Sequence, residues 1–185
     1  QLHQRLVVYR CADGTAFARK RVDYAASALA PAFQFEDVRL GYREGLRRID
    51  GDAQLWVRTP DSDKERSATL EAAAGLVADA GFDEFIRRQW QPLLAGETVP
   101  LEFAVPSRLD SYGFTVRRRG GGEAAGEQAE IFRLRLGGLF GLLAPHIDVA
   151  YGRESRRLLR FEGLSNLRDD RGEEPLLARI DFPRP

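Results

Sequence analysis

The chain has 185 residues, 43% of them apolar and 30% charged, and its formal net charge is zero. That size suits a single domain spanning residues 1–185 with a core of its own, and the composition excludes a disordered chain. A neutral chain lacks the basic excess of a general nucleic-acid binder, and no apolar run approaches the roughly 20 residues that cross a bilayer as a helix.

No methionine occurs, not even at position 1. A start at Gln1 suits a mature form after signal-peptide removal, or a trimmed chain, so a periplasmic or secreted location is expected. Cys11 is the one cysteine. It offers no internal disulfide and no cysteine metal site, and in an alternating segment it reads as a buried structural thiol.

In chain order, Arg5–Cys11 alternates as a first strand. Asp13-Gly14 turns the chain and Thr15–Asp23 returns. Phe33–Tyr42 reads as one strand, with Val38, Leu40 and Tyr42 on one face. Asp50-Gly51-Asp52 turns, and Gln54–Thr59 is the next strand. Pro60–Arg66 is polar, and Ser67–Ala80 is read as a short strand leading into a loop. Phe82, Phe85, Ile86, Trp90, Leu93 and Leu94 then recur at helical steps. Asp83 and Glu84 favour the amino-terminal end of that helix, and Gly96 stops it. Pro92 should kink its last turn or begin a second, shorter one.

Beyond the helix, Val99, Leu101, Phe103 and Val105 alternate strictly. Tyr112, Phe114 and Val116 follow suit after a turn at Pro106–Asp110. Gly120–Gly126 reads as a flexible hairpin tip without the spacing of a phosphate loop. Phe132, Leu134 and Leu136 form a strand, Gly137–Ala144 a turn of helix, and Ile147–Tyr151, Arg157–Phe161 and Leu176–Phe182 three more strands. About nine or ten strands joined by hairpins give an α+β, mainly β fold. The expected architecture is a strongly curved antiparallel sheet, open or half barrel, wrapped around one main amphipathic helix.

Chemistry is sparse. His146 and Asp148 share a strand face, but no third metal ligand stands at useful spacing, and no nucleophile motif occurs. Asp169, Asp170, Glu173 and Glu174 crowd a loop without the spacing of a calcium site. No cofactor, metal or catalytic set is therefore expected. Trp90 on the helix, with Phe103, Tyr112, Phe114 and Phe161 on flanking strands, can line a cavity between sheet and helix. Arg108 or Arg160 would meet a polar head group there. The plainer alternative is that these aromatics fill the core. Leu136–Ala144 is an apolar, glycine-rich segment that suits a buried short helix, or a mobile lip or shallow membrane contact.

The run Gly81–Phe114, together with Tyr151–Phe182, resembles a family of uncharacterised secreted bacterial proteins. Tyr151, Leu158, Leu159, Arg160, Glu162, Gly163, Ser165 and Asn166 carry its carboxy-terminal pattern. The resemblance covers roughly the second half of the chain and brings no catalytic residues. The expected curved sheet with an inner helix also looks like the half-barrel of lipoprotein-localisation carriers and related lipid-binding periplasmic proteins, which is analogy of fold. The function expected on this basis is non-enzymatic binding of a hydrophobic small molecule or lipid. The alternative is a structural or protein-interaction protein with a filled core, meeting a protein partner through its surface or a sheet edge.

Overall fold

The structure, a computed structural model, describes residues 3–62, 64–70, 75–138, 145–169 and 175–182. Among them, thirteen strands and two short α-helices follow one another in sequence. The strands are β1 (Gln4–Arg10), β2 (Ala16–Asp23), β3 (Ala32–Asp37), β4 (Tyr42–Ile49), β5 (Asp52–Arg58), β6 (Arg66–Leu70) and β7 (Leu76–Val77), then β8 (Thr98–Val105), β9 (Asp110–Ala124), β10 (Glu127–Leu136), β11 (Ile147–Gly152), β12 (Leu158–Arg168) and β13 (Pro175–Asp181). Helices α1 (Gly81–Arg88) and α2 (Trp90–Leu94) lie between β7 and β8.

The strands form two open sheets. One is a six-stranded meander ordered β1-β2-β3-β4-β5-β6; the other has seven strands ordered β13-β12-β11-β10-β9-β8-β7. By packing, the residues divide into two compact units. The first comprises the described part of Gln1–Glu84 with Glu102–Tyr112; the second comprises Phe85–Leu101, Gly113–Asp169 and the described part of Glu174–Pro185. The division passes through α1, β8 and β9.

The six-stranded sheet is sorted by the two-residue period of a strand. Arg5, Val22, Phe33, Leu46 and Leu55 stand side by side in register on one face. From Val22 onward this row is buried, and with Ala30, Ala53, Leu76, Ala78 and Ala104 it makes one buried apolar cluster of the first unit. Leu6, Arg21, Gln34, Gly45 and Trp56 form the corresponding row on the outer face. Gly45 is required there: a Cβ would sit 2.1 Å from the Phe33 carbonyl oxygen and 3.0 Å from the Trp56 ring. In the second unit Phe132 is fully buried, edge-on to Trp90 at 5.4 Å and tilted against Tyr151 at 6.1 Å. Ile86 and Leu93 are also fully buried.

One curved sheet of nine or ten strands around a single helix is not what forms. Both sheets are open in linear order, and neither closes or makes a half barrel. The helix is also too short for that role. Its amino-terminal piece has eight residues, about 12 Å at 1.5 Å per residue. Pro92 explains the break: lacking an N–H, it cannot continue the ladder to the Arg88 carbonyl, and it enters the first turn of α2 instead. The meander ends at β6. After the residues that follow it, the chain enters the second sheet as β7, paired in parallel with β8 at Leu76–Glu102 and Val77–Phe103. That parallel pairing is the step a hairpin-only reading cannot supply.

Smaller differences have local causes. The expected strand Phe33–Tyr42 is two strands, with a turn over residues 38–41 between β3 and β4. The glycines at 120–122 are not a flexible tip but part of β9, paired with β10 as far as Ala124. A Cβ at Gly121 would meet Arg153, and one at Gly122 would meet Ile131. The turn itself is Ala125-Gly126, both at positive φ, the backbone a two-residue hairpin requires. Along β8 the buried residues are Leu101 and Ala104, three apart, so strict alternation fails where the strand passes between units. The segment Gly137–Ala144 lies largely outside the described residues, as do Asp170, Glu173 and Glu174.

Candidate functional site

An open sheet leaves edge strands whose backbone groups lack a partner strand. Four strands hold such positions: β1 and β6 in one sheet, β7 and β13 in the other. β7 has two residues and β6 five. β13 begins at Pro175 and carries charges that are already paired: Arg160 Nε donates to Asp181 Oδ1 at 2.6 Å, and Arg179 Nε to Asp181 Oδ2 at 3.1 Å. Proline and charge are devices that blunt an edge. β1, with the sequence QRLVVYR, has no proline and no acid.

The register fixes which groups of β1 face outward. The Tyr24 N–H donates to the His3 carbonyl at 2.7 Å, and Gln4 stands opposite Asp23. In an antiparallel ladder, bonded and non-bonded pairs alternate, so Arg5, Val7 and Tyr9 bond to β2. The N–H and C=O groups of Gln4, Leu6 and Val8 therefore point to the open edge. The same residues carry the exposed side chains: Leu6 is 60% and Val8 40% exposed.

The inner side of β1 is braced. Tyr9 packs edge-on against fully buried Phe35 at 5.9 Å and against Phe17 at 6.3 Å. Beside Val7 in register is Lys20, whose Nζ donates to Asp79 Oδ1 at 2.8 Å. Burial alone would lower the Lys20 pKa, but the Asp79 carboxylate overrides it and holds the ammonium charged well above the ordinary lysine value. An open edge on a strand packed from its inner side is thus presented to solvent.

The outer face behind that edge is rich in arginine. Glu36, 4% exposed, is clamped between Arg19 and Arg43. The Arg47 guanidinium lies 6.0 Å from the Trp56 ring. Arg21, beside Leu6 in register, has no ion-pair partner among the described residues. Leu6, Arg21, Gln34, Arg47 and Trp56 line an open depression of about 580 Å³. A second, of about 410 Å³, lies in the other unit, lined by His146, Asp148, Glu162 and Leu177 among others.

The residues expected to line a cavity are placed otherwise. Trp90, Phe114, Arg160 and Phe161 belong to the second unit, and Phe103, Arg108 and Tyr112 to the first. Trp90 is 3% exposed, packed on Phe132, with the Arg156 guanidinium 5.4 Å from its ring. Phe103 is half-buried, edge-on to Phe82 at 6.3 Å. Arg108 is exposed at the end of a 3-10 turn, Pro106–Arg108. Arg160 is held by Asp181, while Tyr112, Phe114 and Phe161 are half-buried on their strands. None of the seven lines either depression. Among the described residues no half-barrel forms to cradle a lipid-like ligand, and Trp90 is packed against Phe132.

Cys11, expected to be buried, is exposed just past β1, which ends at Arg10. His146 Nε2 lies 3.8 Å from Asp148 Oδ2, but both Asp148 oxygens accept from Arg133, at 2.7 and 2.6 Å. Among the described residues no three His, Cys, Asp or Glu side chains gather as a metal site. No helix among them is long and apolar enough to cross a membrane. Sequence reasoning passed over Leu6 and Val8, although the signal was present. Both faces of β1 carry apolar residues, so whichever is not buried is left exposed.

Compared with protein-family models and with curated proteins, the chain matches none. The resemblance of its second half to secreted bacterial proteins gains no support from either comparison.

Proposed function

We propose that this chain is a protein-interaction module that captures an extended segment of a partner along β1. One observation carries the reading: the outward backbone groups of Gln4, Leu6 and Val8 coincide with exposed apolar side chains on a strand braced from behind. An added strand gains main-chain hydrogen bonds from such an edge and side-chain contacts at alternate residues. Buried cores in both units suit a protein that acts through its surface, and the helix aromatics line neither of the two depressions described above.

Panning the folded chain against random seven-residue peptides, followed by amide hydrogen exchange on the complexes, tests this. Bound peptides are expected to slow exchange at Leu6 and Val8, whose amides are open in the free chain. Selected peptides that leave β1 exchange unchanged would overturn the reading.

A further inference from the structure

β1 can pair with an identical strand antiparallel about a two-fold axis, and one register uses its whole length. Centred on Val7, that register sets Leu6 against Val8 and Gln4 against Arg10 on the outer face. The outward backbone groups of Leu6 and Val8 then bond across the axis in both directions. On the inner face Arg5 meets Tyr9, and Val7 meets its own copy. Apolar side chains fill the centre, and no like charges stand directly opposite each other.

The two ends of the strand are complementary. Gln4 stands beside Asp23 in register, and its Nε2 donates to Asp23 Oδ2 at 3.1 Å. Asp23 also accepts from the Ala25 N–H at 2.9 Å, but it has no cation partner among the described residues. Arg10, at the other end, is exposed and donates from Nη1 to the Gly14 carbonyl oxygen at 2.9 Å. In the Val7-centred pair, Arg10 of one copy lies across Gln4 from Asp23 of the other. Two strand spacings put their Cα atoms roughly 10 Å apart, a span that an extended arginine and an aspartate bridge. The two-fold axis makes this contact twice.

No excess of charge opposes the approach. Arg5, Arg19 and Lys20 are paired with Asp83, Glu36 and Asp79, which leaves Arg10 and Arg21 balanced by Asp13 and Asp23. The whole chain is neutral, so it lacks the self-repulsion that keeps strongly charged proteins monomeric. Resting on the edge-capture reading, we infer that the segment captured along β1 is β1 of a second copy, paired about Val7. The two six-stranded sheets then continue into one. An unrelated extended segment gains the same backbone bonds without the reciprocal Arg10–Asp23 contacts.

One strand pair is a small interface, so the dimer should form at roughly 10 μM and above. Sedimentation velocity across that range tests it, with amide exchange at low and high concentration. Exchange at Leu6 and Val8 should slow as the dimer fills. Arg10→Asp and Asp23→Lys should each weaken the dimer about ten-fold, since each turns two attractive contacts repulsive. Mixing the two variants should restore it, because every such contact in the mixed dimer again joins opposite charges. Val8→Pro should abolish it. The Val8 N–H points away from β2, so proline there removes no bond from the β1–β2 ladder, and thermal melts verify that each variant is folded.

A dimer lost in Val8→Pro but indifferent to both charge variants would overturn the Val7-centred register, and the inference with it. A dimer that survives Val8→Pro would put the interface elsewhere and also overturn it. A monomer at every concentration, with selected peptides still slowing exchange at Leu6 and Val8, would exclude the second copy and leave edge capture standing. A monomer whose β1 no peptide protects would overturn both.

Discussion

At the scale of single residues, buried charge decides more than buried apolar area. Lys20 and Asp79 are 59 positions apart yet form one ion pair on the inner side of the first hairpin. Asp79 Oδ2 is buried with no hydrogen-bond partner among the described residues, so the lysine is what keeps that carboxylate tolerable. Lys20→Met should therefore cost about 3–5 kcal/mol in urea unfolding, and adding Asp79→Ala should recover much of it. The raised Lys20 pKa contributes stability that is complete below the ordinary lysine value and is lost as pH rises through the folded value. Asp148 has the opposite sign. Burial pushes its pKa up, but the bidentate Arg133 guanidinium outweighs burial and holds it below the usual carboxylate range. Its contribution is present at neutral pH and lost as pH falls below about 4. A stability–pH titration should accordingly show a shallower acid limb for Asp148→Asn than for the parent chain.

At the scale of elements, the turns and the helix were legible because their causes are local. Asp50-Gly51 and Asp13-Gly14 turn the chain as their sequence predicts, and the Phe85–Ile86–Trp90–Leu93 stripe is buried as its spacing implies. Pro92 predicts a kink or a second short helix, and a second short helix is what forms. Pro92→Ala restores the donor facing the Arg88 carbonyl. It should raise the far-ultraviolet helical signal, with stability changed by no more than about 1 kcal/mol. β4 is hard to see in the sequence because Arg43, Glu44, Arg47 and Arg48 hide its alternation, although Tyr42, Glu44 and Leu46 are all buried. The Glu44 carboxylate accepts from the Tyr42 hydroxyl at 2.7 Å, which lets a charged residue occupy a buried position. Gly45 in the same strand lies under the Trp56 ring. Gly45→Ala should cost about 1–3 kcal/mol by chemical denaturation, since both neighbours are too close to yield freely.

At the scale of the whole molecule, the open edges define what surface the chain offers. Of the four edges among the described residues, two are short and one begins at proline, whereas β1 has seven residues and no proline, and its one ion pair is Arg5 with Asp83. Placing lysine on it should separate function from stability. Leu6→Lys with Val8→Lys removes exposed side chains only, so unfolding free energy should move by no more than about 0.5 kcal/mol. Peptide capture should be lost, and self-association at high concentration reduced, in the same variant. A large loss of stability in that variant would mean that the two residues are packed, against their exposure of 60% and 40%.

The sequence by itself determined most strands, their turns, the helix and its interruption, because propensity, glycine at positive φ and a missing proline donor act within a few residues. It also held both apolar faces of β1 in plain view. Tertiary structure alone decided that the strands form two open sheets rather than one curved one, since alternation tells which residues share a face but not which strand lies beside it. It likewise decided that Tyr9 is packed inward while Leu6 and Val8 are left outside, and that Trp90 packs against Phe132 rather than facing a cavity. Those outcomes depend on neighbours such as Phe35, Asp79 and Phe132, which lie far away in the chain and reach their positions only when it is folded.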